Sequence, residues 1–136
     1  MTAGYSGTPL AQKLGVRTGQ TTWRKAMPDT VAAEIAGFGE EPLLLDAPVA
    51  GIEMAHIFET SAAALAEELA RLRSLVAADG MVWVSWPKKA AKRDTDISED
   101  TIRAVALPMG FVDVKVCAVD ASWSGLKLVI RKELRG

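Results

Sequence analysis

The sequence predicts a three-layer α/β sandwich: a mixed sheet, mostly parallel, that ends in an antiparallel hairpin. Three observations lead there. Short apolar runs alternate with segments of helical spacing, in the order helix, strand, helix, strand, strand, helix, strand, helix, strand, strand. Strands separated by helices pair in parallel through right-handed crossovers. The last two strands are separated only by the turn Asp120-Ala121-Ser122, so they pair as a hairpin. The pattern is of Rossmann type, and residues 1–136 read as one domain.

Residues 1–19 read as an N-terminal arm and a short helix. Gly4 and Gly7 flank Tyr5-Ser6, a turn that either docks the arm on the sheet or offers N–H groups to an anion. Thr8-Pro9 reads as an N-cap followed by proline at the first helical position. Leu10 and Leu14 give this helix an apolar edge, and Gly15 ends it in the left-handed region. Thr21-Thr22-Trp23 are strand formers, with Arg24-Lys25 as a solvated end or an edge. After Pro28-Asp29, Val31, Ile35 and Phe38 repeat at helical spacing up to Gly39.

Pro42 to Asp46 reads as a short buried strand ending in an acid, and Ile52 to Phe58 as the next. Thr60-Ser61 opens an amphipathic helix with Leu65, Leu69, Leu72 and Val76 on one face, ended by Asp79-Gly80. Met81 to Trp86 is the central strand. A loop from Pro87 to Ile97 runs basic, then acidic. Ser98-Glu99-Asp100 caps a helix whose apolar face is Ile102, Val105, Ala106 and Met109; Pro108 disturbs its last turn and Gly110 ends it. From Phe111 to Val119, Val112, Val114, Val116 and Ala118 point one way, and Asp113, Lys115 and Cys117 the other. Leu126, Leu128 and Ile130 alternate with Lys127, Val129 and Arg131 in the last strand, and 132–136 is a polar, frayed tail.

Composition sets limits on function. Apolar residues make 49% and charged residues 24%, a globular balance. The single cysteine, Cys117, cannot close a disulfide within the chain, which suits a reducing compartment; it reads as a buried, inert thiol. No basic-then-apolar leader and no apolar run near the roughly 20 residues of a bilayer span are present, so a soluble, cytoplasmic protein is expected. Charge is uneven: residues 1–68 carry 4 basic and 9 acidic side chains, residues 69–136 carry 12 and 8. A positive second half suits an anionic partner.

From Leu65 onward the plan resembles the C-terminal half of a class I S-adenosylmethionine methyltransferase: helix, Gly turn (Ala78-Asp79-Gly80), strand, helix, terminal hairpin. Longer words carry a second resemblance. Gly4-Tyr5-Ser6-Gly7-Thr8-Pro9-Leu10, Lys13-Leu14-Gly15, Trp86-Pro87-Lys88-Lys89, Thr95-Asp96, Val112 to Asp120, Trp123-Ser124 and Leu126-Lys127 resemble the bacterial DUF3052 domain family. That resemblance implies no activity to carry over. In that family the segment after Gly19 is a clean apolar strand. Here it is Thr21-Thr22-Trp23-Arg24-Lys25-Ala26-Met27-Pro28, so a displaced, shorter or solvated first strand is expected.

The chain lacks the glycine pattern that lets backbone N–H groups approach a dinucleotide or S-adenosylmethionine. Met27-Pro28-Asp29 stands there instead, and proline removes a donor. Asp46 occupies the place of a ribose-binding acid but reads as a strand-end acid without those glycines. No cofactor is expected. One histidine, one cysteine and scattered acids show no metal spacing. His56 reads as a core or strand-end histidine, and no G-x-S-x-G or serine–histidine pairing is visible.

The remaining candidate is the basic segment after the central strand, at the edge where open α/β sheets place ligands. Trp86, Lys88, Lys89, Lys92 and Arg93, with Trp123, Ser124 and Lys127 from the hairpin, are the candidate site for an anionic small molecule or protein partner. The plain alternative is a solvated charge run beside a tryptophan that plugs the sheet end. Nucleic acid has no motif in its favour, and self-association through the last strand or first helix stays open. Two functions follow: a non-catalytic recognition module, or a transferase with an altered S-adenosylmethionine or nucleotide pocket.

Overall fold

Ten elements follow one another in the expected order in the computed structural model, which describes residues 7–135. They are α1 (Leu10–Leu14), β1 (Thr21–Lys25), α2 (Asp29–Gly37), β2 (Leu43–Leu44), β3 (Ile52–Phe58), α3 (Ala62–Leu75), β4 (Val76–Pro87), α4 (Glu99–Ala106), β5 (Phe111–Ala118) and β6 (Trp123–Ile130). The strands form one sheet in the order β2-β1-β3-β4-β6-β5. β1, β2, β3 and β4 run parallel; β6 enters antiparallel between β4 and β5.

Each face of the sheet has its own core. On one, α3 and α4 bury Leu65, Leu69, Leu72, Ile102 and Ala106 against Ile57, Val82, Val84 and Leu128. On the other, α1 and α2 bury Leu10, Leu14, Val31 and Ile35 against Phe58, Trp83 and Trp123. Both faces of β3 and β4 are therefore covered, which is why they read as unbroken apolar runs. Trp83 Nε1 donates to the Leu14 carbonyl at 2.8 Å and fastens α1 to the sheet. No helix among the described residues is long and apolar enough to cross a membrane.

The structure departs from the sequence reading in several places. Pro9 is itself the N-cap, with φ −57° and ψ 145°, and no side chain caps α1; Gly15 does end it, at φ 81°. β1 is not displaced; β2 pairs with its first two residues, Thr21 and Thr22, and the Arg24-Lys25 end has no strand on its outer side, as the sequence reading expects. β2 is the edge strand, so Leu43 and Leu44 are exposed rather than buried. Phe38 lies past α2 and is also exposed.

α3 stops at Leu75, and Val76 turns extended to pair with Ile52. β4 then bulges, since the next pair is Met54 with Met81. A β-branched residue gains a ladder partner there that another helical turn does not offer. A second bulge at Val114 inserts one residue between the pairs Asp113–Leu128 and Lys115–Lys127. Asp113 and Lys115 therefore face opposite sides of the sheet, against the simple alternation. Residues Lys132–Leu134 form a 3-10 turn instead of fraying, held by Arg135 Nε to the Ile130 carbonyl at 2.8 Å. The Tyr5-Ser6 turn lies outside the described residues.

Candidate functional site

The end of β4 meets the start of β6 at the edge where the parallel strands finish. Pro87 pairs with Trp123 and Trp86 with Ser124, while Lys88 N–H donates to the Ser122 carbonyl at 2.8 Å. The basic segment continues as a single 3-10 turn, Lys89–Ala91, closed by Lys92 in the left-handed region at φ 54°. Arg93 then lies over the Trp123 ring, 5.1 Å from its centroid, a cation–π contact. The returning part of the loop is tied to α3: Thr95 Oγ1 donates to the Thr60 carbonyl at 2.8 Å, and Asp96 Oδ1 accepts from Ala62 N–H at 2.7 Å. Asp120 Oδ1 accepts from Ser122 and Trp123 N–H, both at 2.8 Å, and shapes the hairpin turn.

Six of the eight expected residues meet at this edge: Lys88, Lys89, Lys92, Arg93, Trp123 and Ser124. Among the described residues none of the four cations has a carboxylate partner. Trp86 and Lys127 leave the set. Trp86 is buried in the α3–α4 core, on the face opposite Trp123, so it plugs the sheet and gives no ligand wall. Lys127 lies four residues along β6, about 13 Å from the strand start at 3.3 Å per residue, opposite Lys115.

A second set of groups sits where β1 and β3 end. The chain goes from β1 to β2 on one side, and β3 lies on the other, so this is the switch point of the sheet, where such folds bind ligands. Lys25, at the end of β1, is held there by Glu59 at 2.9 Å and by Glu68 of α3. Both carboxylates are nearly buried. Burial pushes the Glu59 carboxyl up, but hydrogen bonds from Lys25 and from Ser61 and Thr60 N–H outweigh it and hold the group below its usual range. A groove of about 450 Å³ beside the cluster is lined by Lys25, Ala64, Glu67, Glu68 and Arg71. Ala26, the next residue, takes φ 57°, the conformation in which a cofactor loop uses glycine.

These residues do not fit an adenosyl cofactor held in the manner of a glycine loop. Ala26, Met27 and Pro28 replace the glycines, and the Lys25 side chain is locked across the crevice by two acids. Asp46 lies just past β2, exposed to solvent. Among the described residues no group of three or more His, Cys, Asp or Glu side chains gathers to hold a metal.

Sequence reasoning missed two features. His56 Nε2 lies 2.7 Å from Ser85 Oγ, although no serine–histidine pairing was visible. Both residues are fully buried, and His56 Nδ1 has no partner, so no acid orients the ring and no substrate reaches the hydroxyl. Burial, and the nearby Arg24 charge, lower the His56 pKa to about 3. The Lys25–Glu59 pair had a faint signal: a lysine ends one strand and a glutamate follows the next parallel one. Cys117 is half-buried rather than buried; burial raises its pKa against the opposing charges of Lys13 and Lys115.

No protein-family model and no curated protein sequence matches the chain. Solved structures do match. A S-adenosylmethionine-dependent methyltransferase from Aquifex aeolicus aligns with a TM-score of 0.62 at 12% identity, over 89% of this chain and 87% of that one. A ribosomal protein L11 methylase from Lactobacillus delbrueckii subsp. bulgaricus aligns at 0.59 and 12%, over 89% and 74%. Magnesium protoporphyrin IX methyltransferase from Synechocystis PCC 6803, with bound S-adenosylmethionine, aligns at 0.58 and 13%, over 88% and 74%. At these identities the likeness is one of fold: this chain has the class I S-adenosylmethionine methyltransferase fold.

Proposed function

We propose that the chain is a recognition domain on a methyltransferase-type fold, which takes an anionic small molecule or an acidic protein partner at the cations that follow β4. The observation that carries it is the closed switch point. Glu59 and Glu68 hold Lys25 across the crevice and leave one negative charge over, and the turn beyond β1 contains proline in place of glycine. At the neighbouring strand end, Lys88, Lys89, Lys92 and Arg93 stand without carboxylate partners among the described residues, beside the Trp123 ring. The resemblance to the DUF3052 family, and a bacterial source with it, belongs to the same proposal and rests on residue words alone.

The second reading is a transferase with an altered S-adenosylmethionine or nucleotide pocket. The structural neighbours back it more directly than they back recognition, since those named above are methyltransferases that align with most of this chain. It requires Lys25 to leave its acids, or the ligand to use the groove beside Glu67 and Arg71.

Calorimetry and thermal shift with S-adenosylmethionine, S-adenosylhomocysteine, ATP, NAD, acidic peptides and short nucleic acids separate the two, because a ligand of the folded state raises the midpoint. Recognition expects no shift with S-adenosylmethionine. It also expects salt-dependent binding of an anionic probe, weakened by Lys88→Ala with Lys89→Ala. Saturable S-adenosylmethionine binding would falsify the recognition reading and leave the transferase.

A further inference from the structure

Between α2 and the outer edge of the sheet lies a cavity of about 260 Å³. The sequence opens it in two ways. Ala32 and Ala36 stand four apart on α2, so their methyl groups face the same space and leave room that larger side chains would fill. β2 stops at Leu44, opposite Thr22, and no strand covers the next position on that face, Arg24. Arg24 pairs with His56, and His56 with Trp83, so the Arg24 side chain lies on the face that α1 and α2 cover. Ile35 and Leu44 complete the apolar walls.

The charged groups that line this cavity do not pair with one another. Arg24 Nε is buried without a hydrogen-bond partner, and the guanidinium makes no ion pair among the described residues. Burial lowers its pKa, and no carboxylate offsets that effect. Glu40 and Glu41 line the same cavity. Their segment is fastened to the turn before β1. Thr18 Oγ1 donates to Glu40 Oε2 at 2.7 Å and accepts from Glu41 N–H at 3.0 Å, and Gly19 N–H donates to the Glu41 carbonyl at 2.9 Å. The acids are thus held on the rim instead of closing on the arginine. A buried donor left unmade is costly, and a ligand that supplies its acceptor removes that cost.

We propose that this cavity binds an aliphatic α-amino acid, with its carboxylate on Arg24, its ammonium toward Glu40 and Glu41, and its side chain against Ala32, Ile35, Ala36 and Leu44. The lining charges select the class. A plain acid would meet two carboxylates, and a plain amine would meet the guanidinium; a zwitterion answers both. Arginine takes a carboxylate through two parallel N–H bonds. The volume falls just under the roughly 300 Å³ at which pockets for drug-sized ligands begin, which suits a ligand as small as leucine. None of these residues belongs to the strand-end loop, so the site stands apart from the recognition surface proposed above.

The test uses the full chain and L-leucine as probe, read by titration calorimetry and thermal shift. Saturable binding is expected, with a rise in the midpoint. Isocaproate lacks the ammonium and isoamylamine lacks the carboxylate; each should bind at least about tenfold more weakly, the effect of one charge-assisted contact. Arg24→Gln should weaken leucine binding by a similar factor. Ala36→Leu, at an exposed helix position, fills the cavity and should abolish binding while the circular dichroism of the fold is kept. Lys88→Gln with Lys89→Gln should leave it unchanged. The proposal is overturned if leucine does not bind, if isocaproate or isoamylamine binds as tightly as leucine, or if Arg24→Gln and Ala36→Leu both bind leucine like the parent. Loss in the Lys88/Lys89 variant alone would assign leucine to the strand-end surface and overturn it too.

Discussion

His56 is the residue where burial and proton chemistry meet most sharply. Its ring stacks on Phe58 with centroids 4.5 Å apart, and its one polar contact is Ser85. Its folded pKa of about 3 lies below the unfolded value near 6.5. The unfolded chain therefore binds more protons between those values, and stability falls as pH drops from 6.5 towards 3; above 6.5 the group adds no pH dependence. The slope from this one residue approaches about 1.4 kcal/mol per pH unit. Urea unfolding at pH 6.5 and pH 5 should show a loss of about 2 kcal/mol from His56. His56→Phe with Ser85→Ala, which removes the partner too, should flatten that loss; an equal loss in the double variant refutes the account. The buried histidine itself was legible from its apolar run. Its partner was not, because the register of β3 on β4 is shifted by residues 77–80, which read as helix end and turn.

At the scale of the element, that bulge and the end of α3 are one event. The run Leu65, Leu69, Leu72, Val76 continues the helical spacing, so periodicity alone carries the helix too far. What ends it is a ladder position opposite Ile52, which only the sheet supplies. Gly80 then sits where a Cβ would be 2.8 Å from Val76 Cγ2 and 3.0 Å from the Ile52 carbonyl oxygen. The oxygen belongs to a paired strand and cannot move away. Gly80→Ala should therefore destabilise the fold by about 1–3 kcal/mol, as overpacking does. Gly37 is the contrast: it closes α2, keeps a helical conformation, and has nothing within 4 Å of a Cβ. Gly37→Ala should be neutral or stabilise by up to about 1 kcal/mol. Thermal midpoints of the two variants check both, and a tolerated Gly80→Ala would mean that the bulge is soft. The starts of α3 and α4 were readable because they are local: Ser61 Oγ accepts from Ala64 N–H, and Ser98 Oγ from Thr101 N–H.

At the scale of the molecule, the sheet order turns a sequence asymmetry into a spatial one. β2, β1 and β3 come from the acidic first half and lie on one side; β4, β6 and β5 come from the basic second half and lie on the other. The order of elements was legible because each is set by its own spacing and caps. The companions of each charge were not, since Lys127, a few residues from Trp123 in sequence, stands between Trp83 and Lys115 once β6 is inserted between β4 and β5. The net charge of −1 and the pI near 5.8 therefore describe the surface poorly. An exchanger surface that meets the basic side face-on lies closer to those cations than to the acids across the sheet, and rising salt screens that contact as the Debye length falls from about 30 Å at 0.01 M to about 10 Å at 0.1 M. The chain should bind a cation exchanger at pH 7 in about 10 mM salt and elute well before 0.5 M. Replacing Lys88, Lys89, Lys115 and Lys127 with glutamine should abolish that retention while the fold's circular dichroism is kept. Flow-through of the parent chain at low salt would show that the acidic side of the sheet masks the basic one. The spatial separation of charge, on which the proposed anion surface depends for steering, would then be too weak to matter.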